Sequence, residues 1–378
     1  MATNGKIKPR ALAALIASLT TAAVGQDAIN PEGLSGLDSR PYSPYADRAF
    51  PTQVFFGDTH VHTALSADAG GGGTRLMPRD AYSFARGEQV MSNTGQPVRL
   101  DRPLDFYMIT DHSDGMGAIT DIIGGAPNVM ATEQGRDLNA AFNAGGEEAL
   151  RAAQDLVRLF GNGELDPALN YQPGVPAFAR VWDDLIDAAE EFNDPGVFTT
   201  FHAFEWTSLV AGNNLHRNVI LRDGAQRARQ VLPYTTTPPL GSLDPRDLWK
   251  WMETYEVTTG GRVLAIPHNG NVSNGMMFAM QDDFAEGAPL DAAYAEQRQK
   301  WERLYEAFQI KGDGEAHPLL STEDEFADFE TWDYGNLHAT EAKTPEMLPG
   351  EYARSGLKRG LSLEQQFGQN PYQFGVIG

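Results

Sequence analysis

The sequence predicts an α/β fold on a parallel sheet, with its functional side chains gathered at strand ends. Two observations carry this. Short apolar runs alternate with amphipathic helical stretches from residue 53 onward, the pattern of parallel strands joined by crossover helices. Histidines and carboxylates recur directly after several of those runs, which is where barrel enzymes place their chemistry. A chain of 378 residues is long enough for one large domain with insertions, or two smaller ones.

The first strands fall at 53–59 and 105–110. Between them the glycines Gly70 to Gly73 read as a flexible loop edge, and a helix follows over 79–86. The stretch 115–134 reads as loop, a candidate surface insertion. Helical periodicity returns at 147–160 and 178–192, the latter stopped by Asn193-Asp194-Pro195-Gly196. An apolar strand at 197–206, a turn at Gly212-Asn213-Asn214 and a second run at 217–221 form a hairpin. Asp244 then caps a helix with Pro245 in its first turn, and Gly260-Gly261 ends it. A strand at 262–266, a helix at 291–303 and a strand at 304–310 follow. The last helix closes at 362–367, and a final strand occupies 373–377.

Composition narrows the chemistry. Without cysteine there is no disulfide, no thiolate ligand and no thiol nucleophile, so any metal must be held by imidazole and carboxylate. A net charge of -22 repels phosphate backbones and anionic lipid, so a nucleic-acid partner is not expected. Residues 1–25 read as an export leader: Lys6, Lys8 and Arg10, then an apolar run, then a small-residue site at Ala23-Val24-Gly25. An ordinary N-terminal helix is the alternative. The run is too short to anchor the chain in a membrane. The expectation is an exported protein, periplasmic or secreted, with a lead-in at 26–52 and one catalytic domain at 53–378.

The chemistry rests on a constellation. In the run Asp58-Thr59-His60-Val61-His62, alternate side chains of an extended strand share a face, so His60 and His62 suit one metal ion. Asp58 shares that face and could orient a ring. The strand at 105–110 delivers Asp111 and His112, read as a ligand site, with a helix cap as the alternative. Glu205 ends an apolar strand, where a buried carboxylate needs a cation. His202, three residues earlier, faces the other side as a packed histidine. Folding at the hairpin brings His216 near Glu205, with Arg217 beside it as a candidate anion contact. His268 ends another strand. Five of the eight histidines thus sit at strand ends, and that joint pattern is far more specific than any one motif. His317 and His338 read as surface residues, while residues 309–312 and Glu315 read as candidate substrate contacts. No serine-hydrolase elbow, phosphate loop or dinucleotide fingerprint follows a strand.

At these residues the sequence resembles the PHP (polymerase and histidinol phosphatase) superfamily of metal hydrolases, and more closely its DUF3604 branch. The carrying segments are FFGDTHVHTALSADA at 55–69, YMITDHSD at 107–114, FEWTS at 204–208, NLHRNVI at 214–220, IPHNGN at 266–271 and QIKGDGEAHP at 309–318. The resemblance implies a distorted (β/α)7 barrel with two or three divalent ions, Zn, Mn or Fe. It implies that His60 and His62 hold one ion, that Glu205 bridges two, and that Asp68, His112, His216 and His268 complete the cluster. It also implies hydrolysis of small-molecule phosphoesters. One departure is expected to matter: the superfamily's last motif, an Asp-x-His after a late strand, does not follow the strand at 373–377, so the barrel is expected to be incomplete at its C-terminal end.

The expected mechanism is attack by a metal-activated water, with Arg217 neutralising the oxyanion and His112 the second candidate catalytic residue. The alternatives are a catalytically inactive metal- or ligand-binding protein, or an unstable fragment with an open sheet edge.

Overall fold

The computed structural model describes residues 53–161, 163–284 and 288–378. The expected leader and lead-in, 1–52, lie outside the described residues. Among those described, 11 α-helices surround a curled, half-barrel sheet. Five strands form its main part in the order β1 (Gly57–Asp58), β2 (Phe106–Met108), β3 (Thr199–Trp206), β4 (Arg217–Leu221) and β5 (Val263–Pro267). A parallel bridge from His268 to Glu306 carries the curl on to β6 (Leu304–Glu306), which pairs in parallel with β7 (Gly375–Ile377).

The sheet is not wholly parallel. β4 runs antiparallel to both neighbours, with Trp206 opposite Arg217 and Arg217 opposite Pro267. The reason is local. Ala211 and Gly212 both adopt left-handed backbone (φ 53° and 91°), which makes a two-residue turn and folds β4 directly back on β3. A hairpin of this kind leaves no room for a crossover helix, so the direction must reverse.

Side-chain alternation gives the sheet two apolar faces. Tyr107, Phe204, Trp206, Val219 and Ala265 point outward into a large core with helices α2 (Pro78–Ala85), α7 (Pro176–Phe192) and α9 (Pro245–Thr259). Met108, Ala203, Ile220 and Ile266 point inward and fill the concave side. α9 starts as its sequence predicts, with Asp244 accepting from Arg246 N and a left-handed Gly260 ending it.

Three expectations fail here. Residues 115–134 are not loop: they build α3 (Ala118–Gly124), α4 (Pro127–Met130) and the start of α5 (Glu133–Ala144). With α6 (Gly146–Gly161) these helices bury Ile119, Ile122, Val129, Leu138, Phe142 and Leu156 in a cluster of their own. Left-handed Gly117 and Gly125 flank α3, and Pro127 opens α4 in its first turn. Gly70 and Gly71 belong to a helix, α1 (Ala67–Gly71), rather than a loop edge. A Cβ on Gly70 would stand 2.6 Å from Ala64 O and 2.7 Å from Ile119 Cγ2, so glycine is needed for close approach. The run 304–310 is broken after Glu306, and Phe308–Gln309 turns back in a small antiparallel ribbon with Gly312–Asp313.

Candidate metal centre

The inward side chains at one rim of the sheet are histidines and carboxylates. On β3, Ala203 and Glu205 share the inward parity while His202, Phe204 and Trp206 face the helices. His112 lies beside Glu205 in a parallel bridge, and His268 beside Glu306 in another. His216 comes before β4 rather than after it. Because β4 runs backwards, its start lies at the same rim as the ends of its neighbours.

Glu205 is the hub. Its Oε1 lies 2.7 Å from His216 Nδ1 and 2.8 Å from His268 Nε2. Its Oε2 lies 2.8 Å from His62 Nε2, 3.1 Å from His112 Nδ1 and 3.8 Å from His60 Nε2. The two rings of the His-x-His pair meet nitrogen to nitrogen, Nε2 to Nε2, at 3.2 Å. Asp68, on α1, stands 3.1 Å from His62 Nδ1 and 3.4 Å from His112 Nε2. All seven expected ligands, His60, His62, Asp68, His112, Glu205, His216 and His268, therefore meet in one cluster.

The neighbours hold the ligands in place. Asp111, fully buried, accepts from Thr63 N and Thr63 Oγ1 at 2.6 and 2.7 Å, which pins the segment just after His62. It is a support for the ligand loop and not a helix cap. Asp58 accepts from His60 N at 2.9 Å, so it fixes the backbone rather than orienting a ring. His112 Nδ1 is 2.8 Å from Thr207 Oγ1, and His62 Nδ1 is 2.9 Å from Ser66 Oγ.

Electrostatics follow the arrangement. Burial alone would raise the Glu205 carboxyl, but His112, His216, His268 and His62 hold it well below its ordinary value, so it stays ionised. Burial depresses His216 to about 3 and His268 to about 4, against the pull of Glu205 on both rings. Burial also resists protonation of His60 and His62. There the carboxylates outweigh it, Glu205 and Glu306 raising His60 to about 9, and Glu205 and Asp68 raising His62 to about 10.

A metal fits this donor set better than the protein's own hydrogen bonds do. Glu205 Oε2, His216 Nε2 and His268 Nδ1 are buried without an aligned hydrogen-bond partner. A polar atom left this way costs about 1–3 kcal/mol, unless a cation takes its lone pair. Four overlapping sets have donor atoms close enough for an ion: His60-His62-Glu205, His112-Glu205-His216, His62-Asp68-His112 and His60-His268-Glu306. Imidazole with carboxylate, and no thiolate, suits a divalent cation of hard or borderline character.

Three further sequence expectations are corrected, for Arg217, His317 and Glu315. Arg217 does not join the cluster. Its odd place in β4 turns it outward, where it is 1% exposed, bonds Glu302 Oε1 at 3.1 Å and lies over the Trp206 ring. His317 is buried, not at the surface, with Nε2 3.1 Å from Asp333 and its ring against Tyr352. His202 is packed as expected, 2.9 Å from Glu190, and His338 is exposed. Glu315 pairs with Arg354 instead of facing the site.

Sequence reasoning missed Glu306, whose oxygens lie 2.9 and 3.1 Å from His60 Nδ1. The signal was present: like Glu205, it is a carboxylate ending an apolar strand. Beyond the cluster opens a cleft of about 410 Å³. His60, His62, Asp68 and Glu306 form one side of it, and Phe308, Gln309, Ile310 and Lys311 line it too. Among the described residues Lys311 is the one Lys or Arg side chain lining it, with Nζ 3.2 Å from Gln309 Oε1.

A family model described as "Protein of unknown function (DUF3604)" matches residues 49–378. No curated protein and no solved structure matches the chain.

Proposed function

The chain belongs to the DUF3604 family, and from that premise we propose that it is a metal-dependent hydrolase of small-molecule phosphoesters. In this reading the family is a branch of the PHP superfamily, and the curled sheet is the core of a (β/α)7-type barrel. One observation carries the proposal: five imidazoles and a buried, ionised glutamate converge on one rim, with lone pairs that no protein donor satisfies. No membrane-crossing helix occurs among the described residues, and export remains part of the proposal on the strength of the N-terminal sequence.

His60, His62 and Glu205 would hold one ion, and His112, Glu205 and His216 a second, with Glu205 shared between them. Asp68 and His268 extend the donor set on either side. Bound divalent cations supply Lewis acidity and a water of lowered pKa. An anionic substrate such as a phosphoester is helped by a positive charge at the mouth of an otherwise acidic protein. Lys311 provides it, held by Gln309 toward the cleft that the ligands share.

The test is turnover of p-nitrophenyl phosphate and bis-p-nitrophenyl phosphate by purified protein loaded with Mn or Zn. Metal-dependent release of nitrophenol is expected, lost with chelator and in His62→Ala. Lys311→Met should raise KM roughly tenfold, the worth of one charged hydrogen bond, with less effect on kcat. Protein that carries two or three ions yet cleaves neither ester would sink the hydrolase reading and leave a metal-binding protein.

A further inference from the structure

We propose that Glu306 is a positioning residue of the metal centre, holding the Nδ1 edge of His60 so that Nε2 is the nitrogen offered to a cation. The inference rests on the metal-binding half of the function proposed above.

Glu306 is 6% exposed, and its only ion-pair partner among the described residues is His60. Both carboxylate oxygens are spent on one ring atom, at 2.9 and 3.1 Å from Nδ1. An ionised carboxylate can only accept, so Nδ1 carries the hydrogen and the lone pair of a neutral ring sits on Nε2. That nitrogen is the one 3.2 Å from His62 Nε2 and 3.8 Å from Glu205 Oε2, inside the cluster. A carboxylate on the far nitrogen of a ligating histidine fixes the ring's tautomer and tilt and raises its basicity. The placement also explains a long-range contact. His60 follows β1, at one margin of the curled sheet, and Glu306 ends β6, beyond β5 on the other side, 246 residues later. His60 therefore takes its orientation from a strand its own segment does not pair with.

The competing role is direct ligation, in which Glu306 binds an ion with His60 and His268. Calorimetric titration of metal-free wild type, Glu306→Gln and Glu306→Ala with Zn separates the two. Positioning predicts an unchanged number of ions per chain and affinity about 10–100-fold weaker in Glu306→Ala. Glu306→Gln, which still accepts from Nδ1–H, should recover much of that loss, and ¹⁵N spectra of histidine-labelled, Zn-loaded protein should show His60 protonated at Nδ1 in wild type and in Gln. Loss of one ion per chain in both variants would overturn it in favour of ligation. Unchanged affinity with only a lower melting temperature would overturn it in favour of a purely structural role. None of these readings needs turnover. Wild type that binds Zn but hydrolyses nothing still tests the inference, whereas wild type that binds no Zn removes both proposals.

Discussion

At the scale of single residues, the centre turns on one shared carboxylate, Glu205, among five rings, with Asp68 and Glu306 on its flanks. Glu205 is 1% exposed and lies within hydrogen-bonding distance of four histidines. Glu205→Gln keeps the shape and removes the charge. The expected result is loss of the shared ions, read by metal analysis after dialysis, with the fold intact by circular dichroism. Retention of the full metal complement would show that Glu205 is not the bridge. The raised pKa values of His60 and His62, about 9 and about 10, set the pH dependence. In the metal-free protein the surrounding carboxylates favour a proton on this pair, and a cation must expel it. Metal affinity should therefore rise with pH from about 6.5 to about 9, by up to roughly tenfold per unit for each proton released. Titration in two buffers of different ionisation enthalpy measures those protons directly. A flat profile over that range would mean that the two rings are already neutral.

At the scale of elements, the ligands depend on close packing behind them. α1 carries Asp68 and rests on Ala64 and Ile119 through Gly70. Gly70→Ala has two opposed effects: about 1 kcal/mol gained in helix propensity and about 1–3 kcal/mol lost to overpacking. The clash is with backbone, Ala64 O at 2.6 Å, which cannot swing aside as a side-chain tip could, so the loss should win. A lower melting temperature and weaker metal binding through a displaced Asp68 are expected; a stabilised variant would contradict this packing. β4 gives a sharper contrast. His216 and Arg217 are neighbours, yet one faces the cluster and the other a buried ion pair with Glu302, which Arg298 also contacts at 3.1 Å. Breaking a buried pair costs about 3–5 kcal/mol, and Arg298 should hold Arg217→Met near the lower figure. Denaturant melts should show that loss while metal content stays unchanged. Loss of metal without loss of stability would return Arg217 to the site.

At the scale of the whole molecule, the centre joins segments far apart in sequence: those after β1 and β2, β3 itself, and those flanking β4 and β5. Helices pack on the outer face of the sheet, and at the rim side chains tie the segments together alongside the parallel bridges His112–Glu205 and His268–Glu306. Ions bound there belong to the folded state alone. At a free concentration of 1,000 times the dissociation constant, one site adds about 4 kcal/mol to stability. Melting should rise with added Zn or Mn and fall with chelator, and His216→Ala should flatten that response. A melting temperature indifferent to both metal and chelator would mean that no such tie forms.

Much of this was legible in the chain itself. The strand-end positions of His60, His62, His112, Glu205 and His268 follow from apolar runs read with a period of two, and the αβ alternation follows from the same runs. The hairpin at Gly212 was legible too, because a left-handed turn leaves a local mark. What local pattern could not give was the partner across space. Whether Arg217 faces inward or outward depends on which side of β4 carries the core, and Glu306 gains its meaning only when β6 curls round to His60. The tertiary structure decided these, because the burial of apolar faces sets which parity points inward, and that sum runs over the whole sheet rather than along any one strand.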